Sequence, residues 1–156
     1  MSGQPPLRLV IDTNVVLDLL VFHDPQAAPI LAAIESAAAV WLTAETCRQE
    51  LRRVLAYPEL KLPAATQEAV FHRYRELTRE PANRLPLPPD LPRCRDPDDQ
   101  PFLELAATAG AHLLISRDRE LLRLRRRVHA CLEGLDVLQP AAAVLRLREH
   151  SAIRSS

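Results

Sequence analysis

Lysine is nearly missing from this chain of 156 residues: Lys61 is the sole example, and the other nineteen of its twenty basic residues are arginine. Arginine is the better bidentate ligand for phosphate, but a high-GC genome also favours its codons, and that bias takes the larger share. Net charge is missing as well, with twenty acids against twenty bases, so bulk electrostatics select no partner. Three cysteines, Cys47, Cys94 and Cys131, form no CxxC pair and have no histidine at metal spacing. An odd count without an export signal suits reduced thiols in a cytoplasm. No run reaches the roughly 18 apolar residues of a membrane span, and Met1 to Pro6 has no basic segment leading into an apolar one. Aromatics are 4% of the chain, too few for a base-stacking platform. Trp41 is expected in the core. His23, His72, His112, His129 and His150 share no spacing and receive no role.

What is present is an ordinary globular composition, 47% apolar and 26% charged. The length implies one domain, residues 1–156, with enough chain for a core that needs no staples. Short apolar runs at 7–12, 40–43, 112–118 and 137–138 read as buried strands. Between them lie helical segments at 14–22, 24–38, 44–56, 63–80, 98–109, 119–127 and 140–149, several opened by an acid or a proline and one closed by Gly110. Residues 81–97 carry six prolines and read as a stiff surface crossing. Alternating strands and helices predict an α/β fold, a central parallel sheet of four to five strands with helices on both faces. Chemistry in such sheets sits beyond the carboxyl ends of the strands, at a switch in strand order.

Two strands end in acids, Asp12 and Asp118. Either suits a helix N-cap equally well. The helices add two more. Glu50 falls on the apolar stripe of Cys47, Leu51, Val54 and Leu55, where a carboxylate is costly without a partner; the bland reading pairs it with Arg53 or Arg8. In Asp96-Pro-Asp-Asp99, Asp99 stands three, four and seven residues before Phe102, Leu103 and Ala106, on the buried face. Asp98 is on the same side but better placed as the N-cap, and Asp96 precedes Pro97. Four carboxylates in one cleft repel. A hard divalent cation, Mg²⁺ or Mn²⁺, relieves this with oxygen ligands alone, and the chemistry that suits it is hydrolysis of a phosphodiester.

Val10-Ile-Asp12-Thr-Asn14, Glu50-Leu-Arg-Arg-Val-Leu, Asp96-Pro-Asp-Asp99 with Phe102-Leu-Glu-Leu-Ala106, and Leu114-Ile-Ser-Arg-Asp118 together resemble the PIN domain. The resemblance is to its bacterial branch of toxin components in toxin–antitoxin systems, the VapC-like ribonucleases, and runs from about Leu7 to Ala142. It implies a PIN-like three-layer sandwich and a Mg²⁺- or Mn²⁺-dependent endoribonuclease. Asp12, Glu50, Asp99 and Asp118 map to its catalytic, metal-holding acids, with Asp98 the rival to Asp99, and Asn14 and Ser116 map to its polar helpers. It further implies a small antitoxin as partner, a homodimer and a cytoplasmic location. The stretch from Arg119 to Leu135 is longer and more basic than the family's usual link. Arg117, Arg119, Arg123, Arg125, Arg126 and Arg127 cluster there, beside the expected cleft, and are candidates for contact with an RNA backbone.

Two other readings compete. A haloacid-dehalogenase-type phosphatase wants an acid where Asn14 stands, and a lysine that Lys61 is poorly placed to supply. A catalytically silent module would hold metal or RNA without hydrolysis.

Overall fold

The computed structural model describes residues 4–155. Five strands form one sheet: β1 (Leu7–Ile11), β2 (Ala39–Leu42), β3 (Thr78–Arg79), β4 (Leu113–Ile115) and β5 (Asp136–Leu138). All pairings are parallel, in the order β3-β2-β1-β4-β5. The order therefore switches direction between β1 and β4.

The strands are short and apolar because both faces of the sheet are covered. Leu7, Leu9 and Ile11 of β1 point into one core and Val10 into the other. Likewise Leu113 and Ile115 of β4 enter the first core, and Leu114 the second. This is the period-two alternation of a strand with no solvent-facing side. Helices α1 (Thr13–Leu20), α2 (Ala28–Glu35), α4 (Ala64–Leu77) and α8 (Pro140–Ser155) cover the first face. Helices α5 (Gln100–Thr108), α6 (Arg119–Leu122) and α7 (Arg125–Cys131) cover the second. Helix α3 (Glu45–Leu55) straddles the two: Leu51 and Leu55 join the first core, and Cys47 joins the second. The result is the expected three-layer α/β sandwich. Trp41, 1% exposed, meets the Tyr74 ring edge-on at 5.1 Å, in the core as expected.

Local boundaries differ from the sequence reading in several places. The α4 helix stops at Leu77, and Thr78–Arg79 turns into an edge strand on β2. Its β-branched Thr78 sits extended, with its hydroxyl donated to the Tyr74 carbonyl. Asp24 starts a turn by accepting the Gln26 amide at 2.9 Å, but regular helix begins only at Ala28, with Pro29 in its first turn. The basic stretch after Asp118 is two short helices, α6 and α7.

The crossing from β3 to α5 is irregular from Glu80 to Asp99. It is pinned by the Leu85 amide, which donates to the Thr108 carbonyl, and by Arg84, whose Nε donates to the Thr108 hydroxyl at 2.8 Å. Leu91 and Cys94 pack on the second core. Gly110, at φ 66°, closes α5 in the left-handed conformation, and the Ala111 amide reaches back to the Ala106 carbonyl at 3.1 Å.

Candidate active site

Asp12 follows β1 directly and Asp118 follows β4 after two intervening residues, so both emerge at the carboxyl edge on either side of the switch in strand order. Both also cap helices. Asp12 Oδ1 accepts the Thr13 amide at 2.7 Å, and Asp118 Oδ1 accepts the Glu120 amide at 2.8 Å. Capping and chemistry are compatible here, because an ionised carboxylate has about four lone-pair sites and a cap uses one.

Ser116 ties the two strand ends together. Its hydroxyl, fully buried, donates to Asp12 Oδ2 at 2.6 Å and accepts the Asp118 amide at 3.0 Å. Asn14 extends its amide towards the same Asp12 oxygen at 3.4 Å. Glu50 is positioned from α3: the Thr13 hydroxyl donates to Glu50 Oε1 at 2.7 Å. Arg53 stands 3.7 Å from Glu50 and 3.7 Å from Asp98, between an inner and an outer acid.

The third segment resolves the choice between neighbouring aspartates geometrically. Asp99 is 7% exposed and Asp98 is exposed. Helix α5 starts at Gln100, one residue later than the capping role given to Asp98 requires. Asp98 does not cap it; Asp96 instead turns the chain by accepting the Asp98 amide at 2.9 Å. Asp99 occupies the N-cap position without a side-chain capping bond. Its Oδ2 is buried and has no hydrogen-bond partner.

The electrostatics show how near the acids stand. Burial pushes Asp99 up to about 8, helped by an Asp118 carboxylate close enough to share a proton and by the charges of Asp12, Asp118 and Asp96. Burial also raises Asp12, against the Ser116 and Thr13 hydrogen bonds that hold it down; Asp118 and Asp96 add to the rise. Glu50 is raised by burial, opposed by the Thr13 hydroxyl, with Asp12 and Asp98 adding to the rise. Among the described residues, no three His, Cys, Asp or Glu side chains are gathered as a set that could already hold a metal ion. The donor chemistry nevertheless fits a hard divalent cation: carboxylates from four separate segments, one with an orphaned oxygen turned inward.

The basic residues fare unequally. Arg117 donates Nε to Asp18 at 2.8 Å, and Arg125 holds Asp136 through both Nε and Nη2, at 2.6 and 3.0 Å. Arg123 pairs with Glu120 at 2.8 Å. Arg119, Arg126 and Arg127 are exposed.

Three participants went unnoticed in the sequence. Thr13 had a signal, a hydroxyl beside a strand-end acid. Asp18 had one too, an acid within an otherwise apolar helix. Cys94 had none, yet its thiol is pushed up to about 12 by burial and by the charges of Asp99, Asp118 and Asp12.

A family model described as PIN domain matches residues 8–120, a span holding all four inward acids. The chain belongs to the PIN domain family. PIN domains are in general nucleases, and those nucleases in general use divalent metals. No curated protein and no solved structure matches the chain.

The raised acids fix the pH dependence. A carboxyl group with a native value above its unfolded one binds more protons in the native state, so stability falls as pH rises between the two. For Asp99 the window runs from 3.8 to about 8. Melting temperature in a chelating buffer is expected to fall across that window, and Asp99→Asn to remove most of the fall. A flat profile in the parent protein, by thermal denaturation followed by circular dichroism, contradicts the geometry.

Proposed function

We propose that the chain is a Mg²⁺- or Mn²⁺-dependent endoribonuclease. The observation that carries this reading is the convergence of Asp12, Glu50, Asp99 and Asp118 at one sheet edge, with a buried Asp99 oxygen unsatisfied. These four residues would hold the ion or ions. A divalent ion bound there supplies charge neutralisation and an activated water for attack on phosphorus.

The chain's own groups do the positioning. Ser116 and Thr13 each spend a hydroxyl proton on an acid, fixing which oxygens remain available. Such outer hydrogen bonds orient ligands and sustain affinity. Asp99, near half-protonated around pH 8 without a cation, would release its proton on binding one. Arg126 and Arg127, exposed on α7, are free to meet the RNA backbone, whereas Arg117 and Arg125 are committed to Asp18 and Asp136.

From the family resemblance we also propose a toxin role, with a small antitoxin as partner, a homodimer, and a cytoplasmic site of action. Induced expression in a bacterial host should slow growth, and Asp12→Asn should relieve it. Sedimentation equilibrium of the purified chain should give twice the monomer mass; a growth-neutral monomer overturns both parts.

Cleavage of a mixed RNA pool should require added Mg²⁺ or Mn²⁺. Asp12→Asn, Glu50→Gln, Asp99→Asn and Asp118→Asn should each reduce it to background. Ser116→Ala should cost about 10- to 100-fold, as an outer-shell change does. Asp98→Asn, an exposed change, should keep most activity and cost no more than about 0.5 kcal/mol of stability. Activity that survives chelation, or an Asp98 variant as dead as Asp99→Asn, refutes the assignment; metal binding in calorimetry without any cleavage makes the chain a silent module.

Arg126→Gln with Arg127→Gln should weaken RNA binding evenly across sequences. The log–log salt slope should flatten by about 1.4, the loss of two single-strand phosphate contacts. Arg125→Gln should act mainly on stability, by freeing Asp136. An unchanged slope in the double variant means that this face is only solvated.

A further inference from the structure

A second concavity opens on the other side of α3 from the acids. It has a volume of about 700 Å³ and lies between α3, α4 and the carboxyl ends of β2 and β3, within the usual size range of ligand sites. Helix geometry explains the division of labour. At 3.6 residues per turn, Arg48 and Arg52 project about 160° and 200° around α3 from Glu50. One helix thus turns Glu50 to the acids and Arg48 and Arg52 to this cavity.

The cavity combines two kinds of recognition. Phe71 is buried in its wall, with the Arg52 guanidinium 4.0 Å from the ring centroid. Arg48 and Arg75 supply further positive charge, against Glu45 and Glu80 in the lining. The ion pairs fix the arginines without exhausting them. Arg48 gives Nε and Nη2 to Glu45 and Glu80, and Nη1 takes no part in those bonds. Arg52 gives Nη1 to Glu68 on its outer side. Arginines held in one geometry lose less entropy on binding an anion.

We propose that this cavity binds one nucleotide of the substrate strand, its phosphate against Arg48 and Arg75 and its base on the Arg52–Phe71 stack. The proposal rests on the nuclease reading for the identity of the strand. A guanidinium plane backed by an aromatic ring suits a nucleobase, which has a π-face to stack; a carboxylate side chain has none. The cavity shares the carboxyl edge of the sheet with the acids, about one helix diameter of 10–12 Å away, so a strand crossing α3 reaches both. A base held there would make cleavage depend on sequence at a position displaced from the broken bond.

The test uses the intact chain in a chelating buffer with adenosine 5′-monophosphate, followed by amide chemical shifts in ¹⁵N–¹H spectra. Shifts are expected at Thr43, Phe71 and Thr78, and Arg75→Gln, an exposed change, should weaken binding about tenfold or more. Phe71→Leu should weaken the nucleotide more than it weakens inorganic phosphate. The proposal is overturned by adenosine binding as tightly as its monophosphate, by a tetraglutamate peptide competing equally well, or by shifts confined to Asp12–Asn14. Because no metal or cleavage is involved, the two readings fail separately. A chain that cuts RNA but leaves these shifts unmoved loses the pocket alone, and one that binds here but cuts nothing loses the nuclease reading, and with it the substrate strand, but keeps the nucleotide site.

Discussion

Like charges held close at the open edge of a sheet are the constraint around which this molecule is arranged. Asp12, Asp118, Asp99 and Glu50 are far apart in sequence, and each arrives on a different element. Burial, with repulsion from neighbouring acids adding to it, raises three of them. What overcomes it is the packing beneath. Both faces of β1 and β4 are buried, and Leu9, Leu113, Leu114 and Ile115 are fully covered. Burial at about 25 cal/mol per Å² over two cores is large against the cost of a few crowded carboxylates. The fold therefore carries a destabilised edge, as functional sites commonly do.

Hydrogen bonds then decide how that edge is tuned. Asp12 accepts from an amide and a buried hydroxyl. Glu50 has one hydroxyl and a distant arginine. Asp99 has nothing on its inner oxygen and ends highest. Burial is the first cause in each, and the two acids that accept hydroxyl hydrogen bonds are raised less than the one whose inner oxygen has none.

Much of this was legible in the sequence. The apolar runs ending in Asp12 and Asp118 located two strands and the sheet edge. The stripe of Cys47, Leu51 and Leu55 placed Glu50 on the inner side of α3, and the spacing to Phe102, Leu103 and Ala106 turned Asp99 inward. Thr78–Arg79 was not legible, since two residues carry no periodicity and their strand exists only through pairing with Trp41 and Leu42. The start of α5 was placed one residue early because Asp98 and Asp99 both suit an N-cap and local pattern favoured Asp98, whereas Asp99 holds that position. The commitments of Arg117 to Asp18 and Arg125 to Asp136 are tertiary contacts, 99 and 11 residues apart, and no local pattern encodes them. Composition likewise hid the stack of Arg52 on Phe71, a single contact between two helices that no count of aromatics encodes.

The proline-rich crossing gives the site an unequal architecture. Asp12 and Asp118 are anchored to adjacent strands by ladder bonds and by Ser116. Asp99 arrives at the end of some twenty residues without regular structure, most of them exposed. Segments with few ladder bonds open at a fraction of the global unfolding free energy. Two of the acids are thus tied to the sheet itself and a third to its least regular connection, so the spacing among them depends on a segment that the strand ladder does not hold.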